Sequence, residues 1–253
     1  MPAEFTVAAF QDLCRGAAHL PVFGVGDYLR TQPQPPAVIF RFDVDYRSQH
    51  AVRLASILAQ HSLRGTFYFR RPATGFDHTA IRAVAALGHE IGYHYETLDR
   101  CRGDFSAARA MLQQDIDDLR RSNVTVETIA AHGTPPLAPG YTGNLDLVRR
   151  EPGLPGQLEL LGDAIVSVDF TRLCYFSDAG WRWTRHDGTP PGPGGKPSAL
   201  AEVNACLARP EMSVYLTFHP HQWFERAAVM HYYRWRNRVG TVILPRLRAL
   251  RRA

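Results

Sequence analysis

Arg41-Phe42-Asp43-Val44-Asp45, which closes the apolar run Ala37-Val38-Ile39-Phe40, is the stretch whose reading decides the fold. A β-strand sends successive side chains to opposite faces. Arg41, Asp43 and Asp45 therefore share one face, and Phe40, Phe42 and Val44 the other. Two carboxylates side by side where a buried strand ends repel each other and lose hydration unless a cation stands between them. A metal ion answers that requirement, and so does Arg41. This stretch alone leaves both open.

Outward from it, strand-like and helix-like runs alternate. Ala37–Phe42 reads as a strand, followed by a helix from Ser48 to His61 with Ser48 at its N-cap. Gly65–Phe69 is aromatic and β-rich. Asp77 caps a helix whose apolar positions Ile81, Val84 and Leu87 run to Gly88. His89–His94 is a third strand, and Val124–Ala131 a fourth. Between them, Ala108, Met111, Leu112, Ile116 and Leu119 follow the 3.6-residue period of a helix over Asp104–Ser122. Ala164–Phe170 and Ser213–Phe218 read as further strands. Helical patterns over Phe5–Leu20, Ser198–Ala208 and around His231–Val239 complete the chain.

Repeated strand–helix units imply a parallel sheet with right-handed crossovers. Asp43 and Asp45, Arg70 and Arg71, His94, His132, Asp169, and His219 with His221 each stand where a strand gives out. A barrel gathers all such ends around one mouth, whereas an open sheet offers one crevice. The expectation is a (β/α) barrel, and with about six or seven strands visible both a closed and an incomplete ring stay open. One domain spans 1–253, with a core over 27–237, an N-terminal helical extension and a basic C-terminal helix. Pro135–Pro155 and Asp187–Pro197 read as Pro/Gly-rich loops.

Composition narrows the classes. Hydrophobic residues at 45% and charged residues at 21% describe an ordinary globular protein. No apolar run approaches the roughly 20 residues that span a bilayer. The first twenty residues carry Glu4 and Asp12 and lack a basic-then-apolar leader, and the four cysteines stand far apart. Reduced thiols in a cytoplasm are the expectation. The net charge of +5 rests almost wholly on arginine, since Lys196 is the only lysine. Arginine suits phosphate-bearing ligands such as a nucleotide-sugar. No nucleic-acid-binding pattern appears. The basic tail Arg234 to Arg252 reads as a solvated helix face, with weak contact to an anionic membrane surface as the lesser reading.

The chemistry-bearing residues cluster on the strand ends. In Gly88–Glu96, Glu90, Gly92 and His94 share a face, and Gly92 leaves room on it. Histidine with carboxylates from a neighbouring strand suits Zn²⁺ or a similar divalent ion. His132 opens the turn after the next strand, and His219-Pro220-His221 follows the last one. His89, on the face opposite His94, is a packing residue. Tyr175, Trp181 and Trp183 read as a hairpin that either stacks on a sugar ring or packs a lid against the barrel.

In order and spacing, RFDVDY, RGTFYF, GHEIGYHYE, AHGTPP and LTFHPHQW resemble the polysaccharide deacetylases of the NodB type, carbohydrate esterase family 4. The likeness runs from about Asp27 to Asn237 and is closer to a divergent DVD-motif branch linked to surface-glycan biosynthesis. It implies a distorted (β/α) barrel and metal-dependent removal of an acyl group from a sugar. Under it Asp43 is the general base, Asp45 and His94 are metal ligands, and His219 is the general acid. The family's second metal-binding histidine falls here on Leu98, which cannot bind a metal. His132 and Glu96 are the candidates to replace it, His132 being preferred. His132 has an alternative role as the group that steadies the base. Arg41, Arg70, Tyr95, Trp181 and His221 are the candidate substrate-binding residues. The expected cofactor is a divalent metal, Zn²⁺ foremost, with Mn²⁺, Fe²⁺ or Co²⁺ as alternatives. The expected partner is an acylated sugar, a nucleotide-sugar or a lipid-linked glycan. Two alternatives stand beside this reading. One is a metal-free barrel acting as a glycan-binding or complex-forming protein. The other is an amidohydrolase of a small nitrogenous metabolite.

Overall fold

In the computed structural model, which describes residues 4–133, 143–191, 195–209 and 212–238, the aspartate-bearing strand is buried along its whole length. The strands are β1 Val22–Phe23, β2 Val38–Val44, β3 Thr66–Phe69, β4 Glu90–Tyr95, β5 Val126–Ala131, β6 Gly162–Asp163, β7 Leu173–Ser177, β8 Trp183–Asp187, β9 Lys196–Ser198 and β10 Ser213–Phe218. They join in one sheet in the order β6-β5-β4-β3-β2-β10-β7-β8-β9, with β1 against the start of β2. Pairing is parallel from β6 through β7 and antiparallel for β8 and β9. Helices over Ser48–Gln60, His78–Ala86 and Phe105–Arg120 make the crossovers that parallel neighbours require.

The period-two reading of β2 holds, and register extends it sideways. Phe42 stands opposite Phe67 of β3 and Phe218 of β10, and the three rings stack at 4.2 and 5.0 Å. That ladder lies on the outer face, packed beneath the helices in the main apolar core. On the inner face, Ser177, Thr217 and Arg41 form one row and Tyr175, Tyr215 and Ile39 the row beneath it. Layered side chains of this kind fill a barrel lumen. Asp43, Tyr68 and Gly92 form another row, in which the missing Cβ of Gly92 makes room for the Tyr68 ring. A Cβ there would meet that ring at 2.4 Å and the Thr128 carbonyl oxygen at 2.8 Å. The Tyr68 hydroxyl is thereby brought within 2.8 Å of Thr128 Oγ1.

The barrel does not close. The residues expected as a strand over Ala164–Phe170 form turns instead. The Asp163 carboxylate accepts from the Ile165 and Val166 amides, at 2.7 and 3.0 Å, which bends the chain out of extension at once. Ile165, Val168 and Phe170 then pack into the lumen beside Tyr175 and Tyr215, and the Tyr215 hydroxyl donates to the Ala164 carbonyl. A plug of side chains thus occupies the place of a closing strand. Asp169 caps a short 3₁₀ turn on the surface rather than joining the mouth.

Smaller differences have local causes. Ser48 is the first residue of its helix, not its cap, because Arg47 takes a left-handed backbone with φ 56°. Its hydroxyl bonds Asp77 instead. Asp77 and Asp104 do cap their helices, through the Ala80 and Ala107 amides. The sheet end opposite the aspartates is closed by Glu90, whose carboxylate accepts from the Gly26 and Asp27 amides and from Thr66. Part of the Pro135–Pro155 and Asp187–Pro197 stretches, and of the basic tail, lies outside the described residues. Within the Pro135–Pro155 stretch a short helix spans Asp146–Arg150. Among the described residues no helix is long and apolar enough to cross a membrane.

Gly92→Ala is expected to destabilise the fold by about 1–3 kcal/mol, the usual range for forcing a methyl into a full core. Equilibrium denaturation measures it, and a loss under about 0.5 kcal/mol would mean that Tyr68 and Thr128 move aside freely.

Candidate metal centre

Parallel pairing in register brings the C-terminal ends of β2, β4, β5 and β10 to one mouth, so residues distant in sequence meet there. Asp45 follows β2, His94 is the penultimate residue of β4, and His132 follows β5. One ligand atom from each lies within 4.8 Å of the others. His94 Nε2 stands 3.4 Å and His132 Nε2 3.5 Å from the same oxygen, Asp45 Oδ1. That oxygen is buried and has no hydrogen-bond partner, although two ring nitrogens face it. The His94 Nδ1–H donates to the Ala130 carbonyl at 3.0 Å, which leaves the Nε2 lone pair directed at the centre. Two imidazole nitrogens and an orphaned carboxylate oxygen fit the donor set of a zinc-like divalent ion.

His132 is held from behind. Its carbonyl accepts from Asn144 Nδ2 at 3.0 Å, and Asn144 is also paired with Asp99 on the short helix Thr97–Arg100. Leu98 lies on that helix, fully buried in the outer core. The turn that carries Leu98 thus helps position the imidazole of the next strand. Glu96, the other candidate ligand, is not part of this group. Its carboxylate is taken by Arg70, with Nε at 2.8 Å and Nη2 on the same oxygen. Arg70 accordingly bonds Glu96 beside the site.

Asp43 has a different environment. Arg41 Nε and Nη2 donate to its two oxygens at 2.7 and 2.8 Å, with both side chains almost fully buried. Burial raises the Asp43 pKa, but Arg41, His94 and His219 outweigh it and hold the carboxyl below its usual range. Asp45 is also held low: burial raises its pKa, and the surrounding imidazoles of His94, His219 and His132 more than offset that. His219 is opposite in sense. Burial lowers its pKa, yet the hydrogen bond from Nδ1 to Asp178 at 2.7 Å and the charges of Asp178, Asp45 and Asp43 raise it to about 9.

Asp178 is the residue that sequence reasoning passed over. Fully buried just past β7, it also accepts from the His219 amide and from Trp223 Nε1. The signal was present, because Asp178 stands where β7 gives out, by the same rule that singled out the other polar ends. It was hidden in a stretch read for its aromatic rings. Tyr46 was missed as well; half-exposed, it stacks at 4.1 Å on His221. His221 lies at the mouth, 3.7 Å from Asp45 Oδ2, and is pushed down to about 4 by burial and by the neighbouring His219.

The remaining candidates divide. Trp181 lines the cavity of about 290 Å³ that holds Asp43, Asp45, His94, His132 and His219. Trp183 does not line it; it packs with Phe5, Phe218 and Trp223 in the outer core. β7 and β8 do form the expected hairpin. Tyr95 is away from the mouth, because strand alternation sends it opposite His94, and its hydroxyl donates to buried Asp163. His89 packs on the outer face, with Nε2 2.9 Å from the Ala55 carbonyl.

No protein-family model matches the chain, and no curated protein does. Among solved structures the chain is similar to a CE4 family pseudoenzyme from Bacillus anthracis, at 14% identity and TM-score 0.45, over 73% of this chain and 55% of that one. It is similar to a Streptococcus mutans CE4 esterase at 14% identity and TM-score 0.46, over 87% and 90%. A third is the catalytic domain of a peptidoglycan N-acetylglucosamine deacetylase from Eubacterium rectale, at 14% identity and TM-score 0.43, over 83% and 87%. The chain spans little more than half the length of the Bacillus anthracis pseudoenzyme.

Titration of the purified protein with zinc should show one tight site. His132→Ala and Asp45→Ala are expected to lose it and Glu96→Ala to keep it, as read by calorimetry and bound-metal analysis. Tight binding by His132→Ala would overturn the ligand set.

Proposed function

We propose that the protein is a metal-dependent hydrolase that removes an N-acyl group from a sugar or glycan precursor. The observation that carries this reading is the division of labour around Asp45. Its orphaned oxygen and two imidazoles form one ligand set, while an arginine-held carboxylate and an aspartate-held histidine flank it. The ordered motifs that resemble the NodB-type deacetylases support the same reading.

Asp45, His94 and His132 would hold the ion, with zinc favoured by the two imidazoles. Such an ion, when bound, lowers the pKa of water toward about 7 and polarises an acyl carbonyl. Asp43 is ionised at neutral pH and takes the proton of the attacking water. Arg41 holds that carboxylate in one orientation through two parallel bonds. His219, charged at neutral pH, gives its proton to the departing nitrogen. Asp178 fixes its tautomer by accepting from Nδ1 and leaves Nε2 to face the reaction. Each positioned proton transfer is typically worth about 10²–10⁴ in rate.

Charge and cysteine chemistry support a substrate class. All four cysteines are free, which suits a reducing compartment, and the arginine-rich surface suits a phosphate-bearing sugar. We therefore favour a nucleotide-sugar or lipid-linked precursor of a surface polysaccharide over a finished polymer.

Acyl release from a panel of acylated sugars and sugar nucleotides tests the reading, and no release by the zinc-loaded protein from any member would overturn it. Asp43→Asn should lower kcat by about 10²–10⁴ while metal stays bound. Asp178→Asn has a more specific signature. Asp178 raises the His219 pKa, so its removal lets His219 lose its proton at lower pH. The basic limb of the pH–kcat profile should therefore move to lower pH, and an unmoved limb would exclude His219 as the acid.

A further inference from the structure

Beyond the cavity that holds the metal ligands lies a second and larger one of about 600 Å³. The two share Asp43, His132, Gly133, Ala179 and His219, so the reacting groups stand at their junction. The larger chamber runs into the barrel lumen, where the plug replaces a closing strand. Its walls include Ala131, Leu145, Ile165 and Tyr175, together with exposed Arg149 and half-buried His186. Three residues of its lining carry a buried polar atom with no partner at hydrogen-bond distance: His132 Nδ1 beside the metal ligands, and Arg41 Nη1 and Thr217 Oγ1, whose nearest polar neighbours are the Tyr215 and Tyr175 hydroxyls of the row beneath. Arg41 is 4% and Thr217 2% exposed, and they stand opposite each other in the Ser177–Thr217–Arg41 row. Leaving such atoms unsatisfied costs about 1–3 kcal/mol each, more for a charged group. The remainder of the guanidinium is spent on Asp43.

Size and charge select the occupant. An acetyl group fills the space of about two or three waters, on the order of 60–90 Å³, far less than this chamber. Chambers of several hundred Å³ are the ordinary size for organic ligands. The unsatisfied atoms call for an oxygen acceptor. An anionic one is disfavoured, because Arg41 is already neutralised by Asp43 and a second carboxylate beside it would place two like charges in a buried site. A hydroxyl satisfies both atoms, accepting from Arg41 and exchanging a hydrogen bond with Thr217.

Resting on the deacylase reading, we propose that the acyl arm of the substrate is longer than acetyl and carries a neutral oxygen, such as a hydroxyl, which Arg41 Nη1 and Thr217 Oγ1 receive in the chamber beyond Asp43. The apolar walls take the carbon chain, and the row of Ser177, Thr217 and Arg41 reads the oxygen. The reaction is unchanged: water is split between the acyl carbon and the amine, and the amide C–N bond breaks to yield a hydroxy acid and an amino sugar.

The test uses N-acetyl-, N-butanoyl- and N-(3-hydroxybutanoyl)-glucosamine with the full-length protein. Dissociation constants are measured by calorimetry with and without zinc, beside kcat/KM for release. The hydroxybutanoyl sugar should bind at least about tenfold more tightly than the butanoyl sugar, the factor expected for one hydrogen bond to a charged group. It should exceed the acetyl sugar by more. Thr217→Val should shrink the hydroxybutanoyl-to-butanoyl ratio, and Ile165→Phe, which narrows the chamber, should shrink the butanoyl-to-acetyl ratio. Binding without preference among the three overturns this inference alone. Preferred binding of the hydroxybutanoyl sugar without turnover upholds the inference and counts against the deacylase reading. Failure of all three to bind overturns the inference, while the deacylase reading is judged separately on the wider panel of acylated sugars.

Discussion

The ion pair of Arg41 and Asp43 is the constraint on which the rest of the mouth depends. Two charges with side chains under one-tenth exposed face each other across two positions of one buried strand. Taking such a pair out of water costs several kcal/mol per ion, which only close, well-aligned contact offsets. The two parallel hydrogen bonds supply that contact. With Arg41 engaged by Asp43, Asp45 cannot draw on the same guanidinium. It must find its partners among histidines delivered by other strands, and the sheet register brings them to the same oxygen. The opposite face of the strand makes the pair tenable. Phe42, stacked between Phe67 and Phe218, anchors β2 in its register, so that the polar face cannot slip.

The neighbours each side chain meets explain why histidines so close together behave differently. Asp43 and Asp45 are both held low, while His219 is held high by Asp178 and His221 is pushed down. Groups of one kind driven apart by their surroundings are the hallmark of acid–base assignment. Leu98 fits the same economy of positions. An apolar side chain at this point fills the outer core, and its helix braces His132 through Asp99 and Asn144.

Much of this was legible along the chain. The alternation in β2, the helix over Phe105–Arg120, the aspartate caps and the clustering of polar strand ends are local patterns, and local patterns survive folding where burial agrees with them. His132 was named as a ligand candidate because it stands at a strand end. Other features were illegible for equally physical reasons. The Asp163 turn competes with the extended form of Ala164–Phe170 through hydrogen bonds to its own backbone, which a hydrophobic pattern does not reveal. Tyr95 was misplaced only because its neighbour His94 points inward, and alternation itself corrects that.

The amino-acid sequence by itself determined which residues share a face: Arg41, Asp43 and Asp45 on one side of β2, with their aromatic counterparts on the other. That follows from the period of a strand and needs no partner. Only the tertiary structure decided how those charges are divided. It assigned Arg41 to Asp43, turned His94 and His132 toward Asp45, set Asp178 behind His219, bound Glu96 to Arg70 and left the barrel open beyond Asp43. Each of these depends on the distance between atoms far apart in the chain, and Coulombic and hydrogen-bonded interactions are set by that distance rather than by order along the sequence.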